Sequence, residues 1–137
     1  MSVTEHIPIG ASATRTITVT HDLTVAHFHE GMPEVYGTPM MIYLMEVAAT
    51  AAIQEYLPEG WVSVGTAVNV RHLAATPVGF NVTVRAVVTV VDERTVTFAV
   101  EARDDVETIG EGIHVRAPID LTRFEMRAQK KRHESDR

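Results

Sequence analysis

The chain has 137 residues, the size of one domain at roughly 150 residues apiece, and its 45% hydrophobic and 22% charged content is that of an ordinary globular protein rather than a disordered, collagenous or coiled-coil chain. It contains no cysteine, which excludes disulfides, thiolate nucleophiles and Cys-based zinc sites, and it has no apolar run near the ~20 residues of a membrane span. Twelve basic and eighteen acidic residues give a net charge of −6.

The first ten residues, MSVTEHIPIG, have neither a basic start nor an apolar stretch. No secretory signal is expected, and the cytoplasm is the expected location. Residues 15–20 alternate Ile17 and Val19 with Thr16, Thr18 and Thr20, which predicts a first strand. Residues 21–37 hold Gly31, Pro33, Gly37 and three histidines and predict a long loop with at most a short helical turn.

Thr38-Pro39 predicts a helix start, with Thr38 as the capping residue and Pro39 at the first helical position. The helix is expected to reach Leu57, before Pro58 and Gly60 stop it. It is apolar nearly all round, and Glu46 is the only charged residue between Pro39 and Ile53. Such a helix belongs in an interior.

Four alternating segments follow, at residues 61–72, 79–91, 94–103 and 108–121. Their expected core-facing residues are the even positions Val62 to His72, the even positions Phe80 to Val90, the set Val96, Phe98, Val100 and Ala102, and the odd positions Ile109 to Leu121. Arg116 and His114 then fall on the opposite, polar face. Residues 91–94 are short enough to join two strands as a hairpin. The expected class is α+β: an antiparallel five-stranded sheet wrapped around one long central helix. One small sheet can hardly enclose an all-round apolar helix, so a homodimer is expected. Residues 1–124 are read as a single domain and residues 125–137 as a basic tail. From Arg123 onward the tail has six basic and three acidic residues, whereas the body has fifteen acids, six Arg and no Lys. That acidic body is a poor match for a phosphate backbone, so no nucleic-acid or membrane partner is expected. The tail reads as a solvated, partly frayed chain end, with contact to a small anionic ligand as the other reading.

A carboxylate in an apolar helix costs several kcal/mol unless it is paired, hydrogen-bonded or protonated. Glu46 is therefore either a general base or nucleophile with a raised pKa, or a structural partner of a core Arg; the helix sequence alone does not choose between them. Thr38, Glu46 and Thr50 recur at multiples of four along one side of the helix. His72 ends the apolar face of its strand and is expected to point at the same core, where a lone histidine is more often structural than catalytic. Together these residues form a candidate acid–base site, to which the helix start adds free amides. His27 and His29 form an H-x-H without a third ligand at a telling spacing, and no metal or other cofactor is expected.

The order of strand, long buried helix and four antiparallel strands resembles the hot-dog fold of acyl-CoA thioesterases. The segments PEVYGTPMMIYLMEVAATAAI, VGTAVNVRHLAATPVG and IGEGIHVRAPI are similar to the fluoroacetyl-CoA thioesterase group within it. That resemblance implies a catalytic set of Thr38, Glu46 and His72. It places Gly65 near the thioester and Arg116 at the acyl end of the pocket. An aromatic lid residue of the group corresponds here to Met32, which covers a pocket without an aromatic ring's shape. The resemblance therefore implies hydrolysis of a short-chain acyl-CoA, with coenzyme A as part of the substrate, and leaves the acyl group open. A non-catalytic acyl-CoA or small-ligand binder is the alternative. An enoyl-CoA hydratase using Asp22 and His27 is a weaker one, because that segment lacks the Gly and Asn-Pro of the hydratase pattern.

Overall fold

The computed structural model describes residues 2–136. Five strands form one antiparallel sheet: β1 (Ser12–Thr18), β2 (Trp61–His72), β3 (Asn81–Val91), β4 (Val96–Arg103) and β5 (Thr108–Asp120). Their order across the sheet is β1-β3-β4-β5-β2. Three α-helices accompany them: α1 (Val25–Phe28), α2 (Thr38–Ile53) and α3 (Leu121–Ser135). No described helix is long and apolar enough to cross a membrane.

The long helix forms because no Gly or Pro interrupts residues 40–53, which are dominated by Met, Leu and Ala, all good helix formers. It is shorter than expected. The α-helical bonding stops at Ile53, residues 54–56 tighten into a 3₁₀ turn, and Gly60 follows in a left-handed conformation at φ 83°. Met41, Leu44, Met45, Ala48, Ala49, Ala52 and Ile53 are buried. Val82, Val84, Ala86 and Val88 of β3 and Val96, Phe98, Val100 and Ala102 of β4 complete this core, each at most 3% exposed. The alternation of these two strands therefore reads correctly from sequence. The turn between them is the expected hairpin, closed by Asp92 N donating to Thr95 O at 2.9 Å.

β2 and β5 depart from the simple alternation. On β5 Ile109, beside a register irregularity, is buried in the core as expected, but from Ile113, 52% exposed, onward the apolar odd positions turn away from it while His114 and Arg116 are buried beside Glu46 of α2. Over that stretch the expected face is inverted. The reason lies in the inward glycines: a Cβ on Gly110 would sit 2.5 Å from Met41 Sδ, so the even face must be small where α2 presses on it. On β2 a bulge between Gly65 and Ala67 inserts Thr66 and reverses the phase of the strand. Ser63 and Gly65 share a face with Arg116 before it, and Val70 packs against the core with His72 on the same side after it, while Val68 is 44% exposed. The even-position reading therefore holds only for Val70 and His72 at the end of β2.

The first strand begins at Ser12 and ends at Thr18, because its pairing with β3 runs from Ser12–Val87 to Thr18–Asn81. The C-terminal segment is a helix rather than a frayed end. Asp120 caps it, accepting from Arg123 N at 3.1 Å, yet α3 buries none of its residues. The central helix is also not enclosed within one chain: Tyr43 is 61% exposed, and β2 is an open sheet edge.

Candidate active site

Two polar clusters lie along α2. The first is at its N-terminus. Gly37, not Thr38, occupies the capping position, and no side chain caps the helix. The Thr38 hydroxyl is thereby free, and its Oγ1 lies 2.7 Å from His72 Nδ1 at the end of β2. A cleft lined by Val25, Val35, Tyr36 and Ala74 opens over this pair. His72 Nε2 is buried and has no hydrogen-bond partner among the described residues. A buried polar atom left in that state costs about 1–3 kcal/mol, so its retention points to a partner supplied from outside the chain. Burial pushes the His72 imidazole below its ordinary value, and the backbone at Ala74 partly opposes that. The ring is accordingly neutral near pH 7, able to take a proton from one neighbour and deliver one to another.

The second cluster lies two turns further on. Arg116 Nη1 donates to Glu46 Oε2 at 3.2 Å, its Nε donates to Ser63 Oγ at 2.8 Å, and its Nη2 donates to the Ser63 carbonyl at 2.7 Å. The guanidinium side chain is 7% exposed and the carboxylate side chain 37%. Burial draws the Arg116 pKa down and the adjacent Glu46 carboxylate raises it again. Gly65 borders the same carboxylate so closely that a Cβ there would lie 2.6 Å from Glu46 Oε2. The partner that the helix alone left unspecified for Glu46 is thus Arg116, brought inward by the inverted face of β5.

Within one chain these clusters remain apart. Thr38 and Glu46 are eight residues apart on one helix, about 12 Å along its axis. Thr38 and His72 meet, as do Glu46, Gly65 and Arg116, and the two groups do not touch.

A family model described as fluoroacetyl-CoA-specific thioesterase matches residues 19–122. The chain belongs to the fluoroacetyl-CoA-specific thioesterase family. A fluoroacetyl-CoA thioesterase from Streptantibioticus cattleyicolor is 39% identical over 129 residues, covering 90% of this chain and 93% of the relative. The solved structure of the fluoroacetyl-CoA thioesterase FlK superposes with a TM-score of 0.86 at 38% identity, over 90% of this chain and 96% of that one. A thioesterase superfamily member from Thermus thermophilus gives 0.85 at 32% identity, over 94% and 97% of the two chains. A hot-dog-like protein from Thermanaerovibrio acidaminovorans gives 0.86 at 26% identity, over 96% and 97%. The hot-dog fold and the thioesterase resemblance read from the sequence are both borne out.

The remaining residues singled out by sequence lie on the loop before α2. Met32 is 47% exposed, on the segment leading into Pro33 and Glu34. Asp22 and His27 are exposed as well. The Asp22 carboxylate accepts from the Thr20 hydroxyl, chiefly for which reason its pKa is lowered, and His27 packs edge-on against His21. Among the described residues no three His, Asp or Glu side chains gather closely enough to hold a metal ion. Sequence reasoning passed over Ser63 and His114 in this thioesterase-family chain, although both are buried and bonded into the Arg116 cluster. The available signal was the run of small or polar residues at Gly110, Gly112, His114 and Arg116, which an inverted strand turns toward the helix.

Proposed function

We propose that this chain hydrolyses short-chain acyl-CoA thioesters, acting as a homodimer in the cytoplasm. The observation that carries the proposal is the Thr38–His72 pair, 2.7 Å apart, with the buried His72 Nε2 lacking any partner among the described residues. Glu46 either attacks the thioester carbonyl carbon or takes a proton from an attacking water. Where Glu46 attacks, its C–O bond replaces the C–S bond, and water then opens the resulting mixed anhydride, which frees the acid and restores the carboxylate. Where Glu46 takes a proton from water, the water oxygen forms the C–O bond as the C–S bond breaks. In either route the departing CoA thiolate is protonated through His72, the proton deriving from the water consumed. Thr38 orients the imidazole. Amides at the start of α2, or the backbone at Gly65, face the oxygen on which charge develops. Arg116 and Gly65 bound the acyl end, and Met32 covers it. The family relationship supports the substrate class, and Met32 favours an acyl group other than fluoroacetyl as readily as fluoroacetyl itself.

The homodimer rests on the open β2 edge and the exposed outer side of α2. Both would be covered by a second copy, and the Thr38–His72 pair of one chain would then face Glu46 of the other, closing the 12 Å gap (about eight residues of helical rise).

The test is free-thiol release from acetyl-, fluoroacetyl-, propionyl-, butyryl- and phenylacetyl-CoA by the native chain and by His72→Ala. Release that is lost in His72→Ala is the expected result. A native chain that releases no thiol, yet melts at a higher temperature with CoA present, is a binding protein and not a hydrolase.

A further inference from the structure

His114 is 1% exposed and belongs to none of the roles above. Its Nδ1 lies 2.9 Å from the Ala67 carbonyl, immediately after the β2 bulge. A carbonyl only accepts, so Nδ1 carries the hydrogen. Its Nε2 lies 3.1 Å from Arg116 Nη1. A guanidinium only donates, so Nε2 presents its lone pair. Both ring nitrogens are thereby fixed, and the imidazole is the neutral Nδ1–H tautomer. Phe98 of β4 stacks on the ring at 6.2 Å between centroids, which holds its plane.

The nitrogen that His114 grips is the one that reaches Glu46: Arg116 Nη1 donates to both His114 Nε2 and Glu46 Oε2. Ser63 anchors the other two nitrogens of the guanidinium. We propose that His114 is a positioning residue for the Glu46 carboxylate, acting through Arg116 as a neutral acceptor. This role rests on the thioesterase reading of Glu46. The charged groups facing the ring are Arg116 on its own strand and Glu46 from α2. From β2 and β4 it meets the Gly65 backbone, the Ala67 carbonyl and the Phe98 ring, none of them charged. A proton added at Nε2 would set two cations against each other and turn the acceptor into a donor, releasing Nη1 from its place between ring and carboxylate.

The experiment uses the full chain and compares steady-state thiol release by native protein, His114→Phe and His114→Gln, with the best acyl-CoA of the panel. Phe keeps the volume and the stacking and removes both hydrogen bonds. Gln restores a carbonyl acceptor near the position of Nε2. The expected outcome is a fall in kcat of about tenfold or more in His114→Phe with KM within about twofold, and recovery of most of it in His114→Gln. A loss that merely follows reduced folding would appear equally in the fraction of active protein and would not be rescued by Gln. If His114→Phe does not fold, His114→Gln and the native ring decide. Long-range ¹H–¹⁵N correlation of native His114 at about pH 7 is expected to show Nδ1–H with an unprotonated Nε2. An Nε2–H tautomer, a kcat unchanged in His114→Phe, or a folded His114→Gln with native KM and no activity would each overturn the proposal. Native protein inert toward every acyl-CoA would instead strike the hydrolase reading itself, and this role with it.

Discussion

Glu46 and Gly65 approach each other so closely that no side chain fits between them. A Cβ at position 65 would come within 2.6 Å of Glu46 Oε2 and 3.1 Å of His114 Cε1. The carboxylate is the far end of a flexible side chain and can swing aside. Gly65→Ala is therefore expected to change stability by no more than about 1 kcal/mol while lowering thiol release about tenfold or more. Paired urea unfolding and activity measurements check this, and native activity in a folded Gly65→Ala would remove the Glu46–Gly65 contact from the working site. The two buried imidazoles make a second prediction at this scale. Burial lowers the pKa of both His72 and His114 from the ordinary 6.5, with the backbone at Ala74 and at Ala67 opposing it. Such groups take up protons more readily in the unfolded chain. Their contribution to stability is therefore full above about pH 6.5 and is lost as pH falls below that value through the lowered native pKa values. The urea midpoint should drop between about pH 7.5 and about pH 5.5, and drop less in His114→Gln. Equal midpoints at the two pH values would contradict it.

The elements differ in how openly the sequence announces them. β3 and β4 read correctly because both lie mid-sheet under α2 and carry unbroken Val, Phe and Ala alternation on one side. β5 reads backwards because hydropathy follows the outward Ile and Val, while the inward side holds the glycines and the polar cluster. Thr38-Pro39 has the pattern of a cap and first helical residue, yet Thr38 is itself the first helical residue, its hydroxyl spent on His72. That contact spans 34 residues of sequence, and no local pattern encodes it. Residue chemistry makes Thr38, Glu46 and His72 candidates and the family resemblance groups them; the Thr38–His72 contact is present, Glu46 lies with Arg116, and the partners Ser63 and His114 depend on strand phase, which local sequence does not fix. α3 shows the reverse case, a helix formed where charge alone suggested a solvated tail. Its first turn is anchored by the Asp120 cap and by Leu121 N donating to the Gly60 carbonyl at 3.0 Å. Asp120→Ala should weaken that helix by about 1 kcal/mol. Because α3 buries nothing, circular dichroism should lose helical signal while the main unfolding transition stays in place. A shift of that transition would show that α3 supports the core.

For the whole molecule, the separation between the Thr38–His72 pair and Glu46 carries the sharpest expectation. If one chain supplies the pair and the other the carboxylate, His72→Ala and Glu46→Gln should each be inactive alone and should complement when mixed. In a mixed dimer both lesions fall in one site and the other site is wholly native. Random exchange at equal amounts would restore about a quarter of native activity. Mixing without recovery, in samples shown to exchange subunits, would place each complete site within a single chain.

The bulge at Thr66 puts six residues, an even number, between Gly65 and His72, where an unbroken strand would need an odd number to face both the same way. Before it, Ser63 and Gly65 look toward Arg116; after it, His72 looks toward Thr38. Removing Thr66 would keep almost every side chain and yet force one half of the strand to turn over. Either Ser63 and Gly65 would leave the guanidinium, or His72 would leave the hydroxyl. Chain length at this point thus works as a parity check on the site, one that length changes of two residues pass and a change of one fails.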